Sequence, residues 1–171
     1  MSTALSMHQA SVPVLLRALK NLRHVLEKGE AHAREKGYEP TILLQSRLAP
    51  DMLPLVRQVQ IATDTAKFAV ARLSATESPR FEDAETTFDE LYARLEAVAE
   101  YLRTFDDAAL AGSEDRRITL TTRTRGDLVF DGRGYLLGFV LPNLFFHVTT
   151  AYAILRHNGV PLGKPDFMHA G

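Results

Sequence analysis

Apolar residues fall on helical stripes in four stretches of the chain. Val12, Leu15, Leu19, Leu22 and Leu26 alternate steps of three and four, which puts them on one face of a first helix. Ser11 with Pro13 offers a capped first turn; alternatively the helix starts near Ser6 and bends at Pro13, and Gly37 is its expected stop. A second helix carries the stripe Leu55, Val59, Ala62, Ala66, Ala69 and Leu73, whose small residues admit a close neighbour. A third carries Phe88, Leu91, Leu95, Val98, Leu102 and Phe105, after a capping box formed by Thr87 and Glu90; Asp89, Arg94, Glu96, Glu100 and Arg103 read as its solvated surface. The fourth runs from about Tyr135 to His157 with Leu136, Val140, Asn143, His147, Ala151 and Ile154 inward, closed by Asn158 and Gly159 ahead of Pro161.

Between these helices the pattern changes twice. Tyr38 to Pro54 holds Pro40, Pro50 and Pro54 around Ile42, Leu43, Leu44 and Leu48, which predicts a connection with a short helix packed as a lid. Ile118 to Asp131 is rich in Thr, Val and Ile and is split by Arg123 to Asp127 with Gly126 at the turn, which predicts a β-hairpin. The tail from Leu162 to Gly171 has no pattern. The expected fold class is therefore all-α: a four-helix bundle with helices near 6–36, 53–74, 85–105 and 134–157, and a small β-hairpin between helices three and four.

Composition narrows the picture. At 171 residues, 46% hydrophobic and 24% charged, the chain is expected to form one folded domain over 1–171. Twenty basic and 21 acidic side chains leave a net charge of -1, so no nucleic-acid partner is expected. With no cysteine, any metal must be held by nitrogen and oxygen donors, and a reducing, cytoplasmic location fits. Met1 to Gln9 lacks the order of a secretory leader, and the most apolar stretch, Tyr135 to Leu155, is interrupted by Pro142, Asn143, His147, Thr149 and Thr150, so no membrane partner is expected either.

The candidate chemistry lies in that last stretch. Asn143 and His147 stand four apart on the inward face, where aliphatic side chains are usual, and burying them unpaired would cost about 1–3 kcal/mol each. They therefore have partners: each other, backbone, water or a metal. One reading is a satisfied core network beside the bend at Pro142, which frees the carbonyl of Gly138; the other is a divalent metal on one ring nitrogen of His147; a small-molecule pocket without metal is the third.

The segments LAPD (48–51), QVQIATDTAK (58–67) and NLFFHVTTAYAILRHNG (143–159) resemble the DinB-like and YfiT-like superfamily, and nearly the whole chain resembles a bacterial and fungal branch of it described as a domain of unknown function. The resemblance implies a four-helix bundle, a homodimer, and in many relatives a divalent metal held by three histidines, one on helix two and an H-x-x-x-H pair on helix four; some relatives are thiol-dependent transferases or isomerases. His147 matches the second histidine of the pair, Asn143 stands where the first would be, and helix two offers only Gln58, Gln60 and Asp64. Carboxamide oxygens bind zinc or nickel poorly beside imidazole. The sequence thus predicts a degenerate or non-metal site around His147, Asn143, Gln58 and Gln60 with no tightly held cofactor, the alternative being a metal- or thiol-dependent enzyme with His147 as ligand.

Other candidates read as bland. Asp64 lies nearly opposite the stripe of helix two, on a solvated surface or in an interhelical salt bridge, while Gln58 at the stripe's edge looks inward. His24 and His32, eight apart, read as exposed and not as one metal-binding face; His157 suits the last helical turn, and His8 could reach the bundle end near His147. Arg116, Arg117, Arg123 and Arg125 are interspersed with Glu114, Asp115 and Asp127 and read as a solvated hairpin. A homodimer is expected because Phe139, Phe145, Phe146 and Tyr152 give helix four more apolar circumference than one inward stripe needs.

Overall fold

A computed structural model describes residues 5–122 and 126–168. The first helix, α1 (Met7–Lys36), starts at Ser6, whose hydroxyl accepts from the Gln9 N–H while the Gln9 side chain returns to the Ser6 N–H. It runs on through Pro13, so the start at Ser6 is the correct one of the two expected. Ser11 is buried inside the helix and donates to the Met7 carbonyl at 2.6 Å. Gly37, at φ 76°, ends the helix in the left-handed conformation that favours glycine.

The lid contains a short helix, α2 (Thr41–Leu44), which inserts Leu43 and Leu44 into the core. Next comes α3 (Leu55–Ser74), packed chiefly against the fourth long helix and also against the third long helix and α1. Every residue of its predicted stripe is fully buried, and Gln58, Gln60, Thr63, Thr65 and Lys67 are buried too, because this helix is covered on several sides. The capping box of Thr87 and Glu90 opens α4 (Phe88–Arg103). The strands β1 (Ile118–Thr122) and β2 (Gly126–Phe130) pair antiparallel with Leu120 opposite Leu128. Ile118 and Leu120 alternate inward with a period of two. Arg123 and Arg125 of the predicted basic cluster lie outside the described residues.

The fourth long helix is continuous over Gly132–His157 but not uniform. A short turn, α5 (Gly132–Gly134), is capped by Asp131, a π-type stretch follows over Tyr135–Val140, and α6 (Leu141–His157) completes it. Pro142 has no N–H for the Gly138 carbonyl and its ring crowds that carbonyl, and the widened turn just before it relieves the clash. By length and composition this helix could cross a membrane, with a mean hydropathy of 1.4 in its most apolar window. Here its inward face, with His147 on it, is packed against α3 and α1.

Two glycines allow close approach. Gly29 on α1 faces Leu155, and a Cβ on Gly132 would stand 1.8 Å from the Ser113 carbonyl oxygen. The patternless tail is nonetheless packed, since Leu162 is buried and α7 (Lys164–Phe167) docks on α1. Asp166 is held there by Lys28 at 2.7 Å, His24 at 3.1 Å and the Gly163 N–H at 2.8 Å. Isolated side-chain contacts of this kind leave no periodicity to read. They also take His24 out of the exposed class.

Candidate functional site

His147 sits on the α3-facing side of α6, almost fully buried, with the Phe146 ring edge-on at a centroid distance of 5.1 Å. Its Nδ1 lies 2.7 Å from Gln58 Oε1, and Gln58 Nε2 donates to the Leu53 carbonyl at 2.9 Å. The amide nitrogen is thus committed as donor, Oε1 accepts, and the imidazole carries its proton on Nδ1. Burial pushes the imidazole below its usual 6.5, so it is neutral at pH 7. One turn earlier on α6, Asn143 Nδ2 donates to Thr65 Oγ1 at 2.8 Å. The pairs run in opposite senses along the two helices, as antiparallel packing requires. Asn143 and His147 are therefore two separate rungs between α3 and α6, each with its own partner on α3.

Gln60 is not part of this ladder. Two residues along a helix turn the side chain by about 200°, so Gln58 and Gln60 point to opposite sides of α3. Gln60 accepts from Arg57 at 2.6 Å and donates to Glu85 at 2.6 Å. It belongs to an ionic network centred on Arg94, which bonds Asp64 at 2.8 Å, Asp83 at 2.7 Å, Glu85 at 2.9 Å and Thr63 Oγ1 at 2.7 Å. Lys67 adds a bond to Asp64 at 2.8 Å, and both cations lie over the Phe81 ring. Asp64 thus takes the interhelical salt bridge of the two roles expected for it. Arg94 is a correction: its side chain is only 1% exposed, not part of a solvated surface. The sequence carries a signal for this, since Arg94 stands three after Leu91 and four before Val98 and so borders the buried stripe.

A divalent metal, as the superfamily resemblance implies, does not fit these donors. A catalytic zinc site takes three good protein ligands and keeps one position open. Nδ1 of His147 is occupied, only its Nε2 lone pair remains, and Gln58 Oε1 is already accepting. His8 does not join them, since it faces Asp107 at 3.8 Å. Among the described residues, no three His, Cys, Asp or Glu side chains gather within metal-holding reach of one another.

The profile of a family described as a domain of unknown function, DUF1993, matches residues 7–168. The chain belongs to the DUF1993 family. The DUF1993 chain is also similar to a solved protein, whose crystal structure is described as that of a DinB family member from Shewanella denitrificans. The two are 41% identical, with a TM-score of 0.89 over 96% of this chain and 93% of that one. No curated protein matches the DUF1993 chain.

Proposed function

We propose that this protein is a non-catalytic helical bundle that works by binding, as a cytoplasmic homodimer. In this reading, the place where the wider superfamily holds a metal has become a structural rivet. The Gln58 to His147 hydrogen bond carries the reading. It gives the imidazole a carboxamide partner instead of a metal, and through the Leu53 carbonyl it ties the lid to helix four. A neutral, packed imidazole bonded to a carboxamide is suited to holding structure rather than to moving protons.

The homodimer is supported by the outer face of helix four. Phe139 packs against Phe130 and Tyr135, and Tyr152 packs against Phe167, which leaves Phe145 at 39% and Phe146 at 57% exposure. Leu137, two turns earlier on the same helix, is also exposed. The near-neutral charge favours a protein or small-molecule partner over nucleic acid, and the cysteine-free chain suits the cytoplasm. The buried inward face of helix four supports a place in a protein core rather than in a membrane.

Elemental analysis and light scattering on untagged protein test both parts. The expected results are far less than one zinc, nickel or manganese per chain and a mass twice the 19.0 kDa of one chain, reduced to one chain by Phe146→Asp. Near-stoichiometric metal removed by His147→Ala would make the metal-dependent enzyme the better reading. A single-chain mass at micromolar concentration would remove the dimer.

A further inference from the structure

The connection from α3 to α4 is a strap laid over both helices. No residue in 75–87 is buried, and none in 77–85 makes a main-chain to main-chain hydrogen bond with a described residue. Side chains hold it. The Tyr101 hydroxyl donates to the Glu77 carbonyl at 2.8 Å, and the Phe81 ring centroid lies 4.7 Å from both the Lys67 ammonium and the Arg94 guanidinium. Asp83 accepts from Arg57 at 2.9 Å and from Arg94 at 2.7 Å, through a left-handed backbone turn at φ 54° that residues other than glycine seldom adopt. Cavities of about 440 Å³ and 600 Å³ meet at Phe81 and Glu82, which line both.

Beneath the strap the helices carry more positive charge than they neutralise. Against Arg57, Lys67 and Arg94 they set one carboxylate, Asp64, and Asp83 and Glu85 of the strap supply the balance. Arg94 is anchored without the strap: its Nε donates to Thr63 Oγ1 at 2.7 Å, and its Nη2 donates to Asp64 at 2.8 Å and to the Gln60 carbonyl at 3.3 Å. Only Nη1 turns to Asp83 and Glu85. We propose that the strap is an internal stand-in for a small aromatic dianion, and that such a ligand displaces it and binds between α3 and α4. The strap describes the ligand: negative charge on Arg57 and on Nη1 of Arg94, and one ring between Arg94 and Lys67. Every group the ligand touches lies on α3 or α4 and keeps an anchor when the strap leaves, with Arg57 on Gln60 and Lys67 on Asp64. A tethered ligand of this kind acts at an effective concentration on the order of millimolar, so a free one competes with it in that range. The proposal goes beyond the reading of His147 and helix four and depends on neither.

The test is side-chain NMR on the full chain at pH 8, following the Phe81 ring and the Arg94 Nε–H, with chloride of matched ionic strength as control. Phenyl phosphate and phthalate carry a ring and two charges, inorganic phosphate lacks the ring, and phenol lacks the charge. One of the first two is expected to move the Phe81 signals saturably toward those of an exposed ring, and the tighter of them identifies the charged group. Loss of ring or charge is expected to weaken binding about tenfold. Asp83→Asn with Glu85→Gln removes the strap's charge and keeps its shape; it is expected to free Phe81 without ligand and to tighten binding about tenfold. Two single changes at partly exposed positions decide the matter even if that variant does not fold: Phe81→Ala is expected to tighten binding, read at Arg94, and Arg57→Gln to weaken it. No saturable shift at millimolar probe, an equal shift in chloride, inorganic phosphate binding as tightly as phenyl phosphate and phthalate, or an affinity untouched by Phe81→Ala and Arg57→Gln would each overturn the proposal. The strap would then be a fixed part of the fold.

Discussion

Arg94 on α4 bonds Asp64 on α3 at 2.8 Å with its guanidinium almost wholly out of water. Asp83 and Glu85, from the connection ahead of α4, complete the shell, so one cation holds two helices and a loop together. Replacing Arg94 with Met keeps the bulk and leaves three carboxylates facing one another without it. Breaking a buried pair on one side typically costs about 3–5 kcal/mol. Urea unfolding of Arg94→Met is expected to show a loss in that range, and a loss under about 1 kcal/mol would mean that water already satisfies the carboxylates.

Acid should destabilise the protein in two stages. Burial lowers the proton affinity of His147, so the unfolded chain takes up that proton first; stability is full above the usual 6.5 and falls as the pH drops below it. Burial pushes the Asp83 and Glu85 carboxyls up, but bonds from Arg57 and Arg94 to Asp83, and from Arg94 and Gln60 to Glu85, outweigh this and hold both below the usual 3.8 and 4.5. Their contribution is therefore present above those values and lost at lower pH. Thermal melts from pH 8 to 3 are expected to show both stages, and His147→Gln is expected to remove only the first. A wild-type profile flat between pH 7 and 5 would contradict the assignment of His147.

Gly132→Ala and Gly29→Ala test how closely the elements approach. At Gly132 the added methyl meets backbone, the Ser113 carbonyl, which cannot turn aside; at Gly29 it meets the flexible end of Leu155 at 2.7 Å. Calorimetry is expected to show a loss of about 1–3 kcal/mol for Gly132→Ala, as for an overpacked core, and a smaller one for Gly29→Ala. The reverse order would contradict the packing described.

Periodicity carried the bundle. The stripes of helices two and three are buried at every predicted position, and the capping box at Thr87 opens α4 where it was expected. What periodicity could not carry were contacts made by single side chains. Asp166 docks the tail through His24 and Lys28, more than a hundred residues away in sequence, and no local pattern marks either histidine or lysine as its partner. At the candidate site, the inward place of Asn143 and His147 was legible from the stripe, but their separation was not. Spacing of four puts two side chains on one face, while the partner of each is decided by the register of α3 against α6, which sets Thr65 beside one and Gln58 beside the other. Gln60 shows the same limit, since proximity to Gln58 in sequence places it on the opposite side of its helix.

The central claim is that His147 is a neutral side chain locked to Gln58 through a protonated Nδ1. Long-range ¹⁵N NMR of the imidazole reads this directly in protein purified without added metal. The expected spectrum shows a protonated Nδ1, an unprotonated Nε2 without metal, and a titration midpoint below 6.5, which moves further below 6.5 in Gln58→Leu, where the imidazolium loses its acceptor and gains an apolar neighbour. A proton on Nε2, a metal-shifted nitrogen resonance, or a midpoint at or above 6.5 would contradict the account.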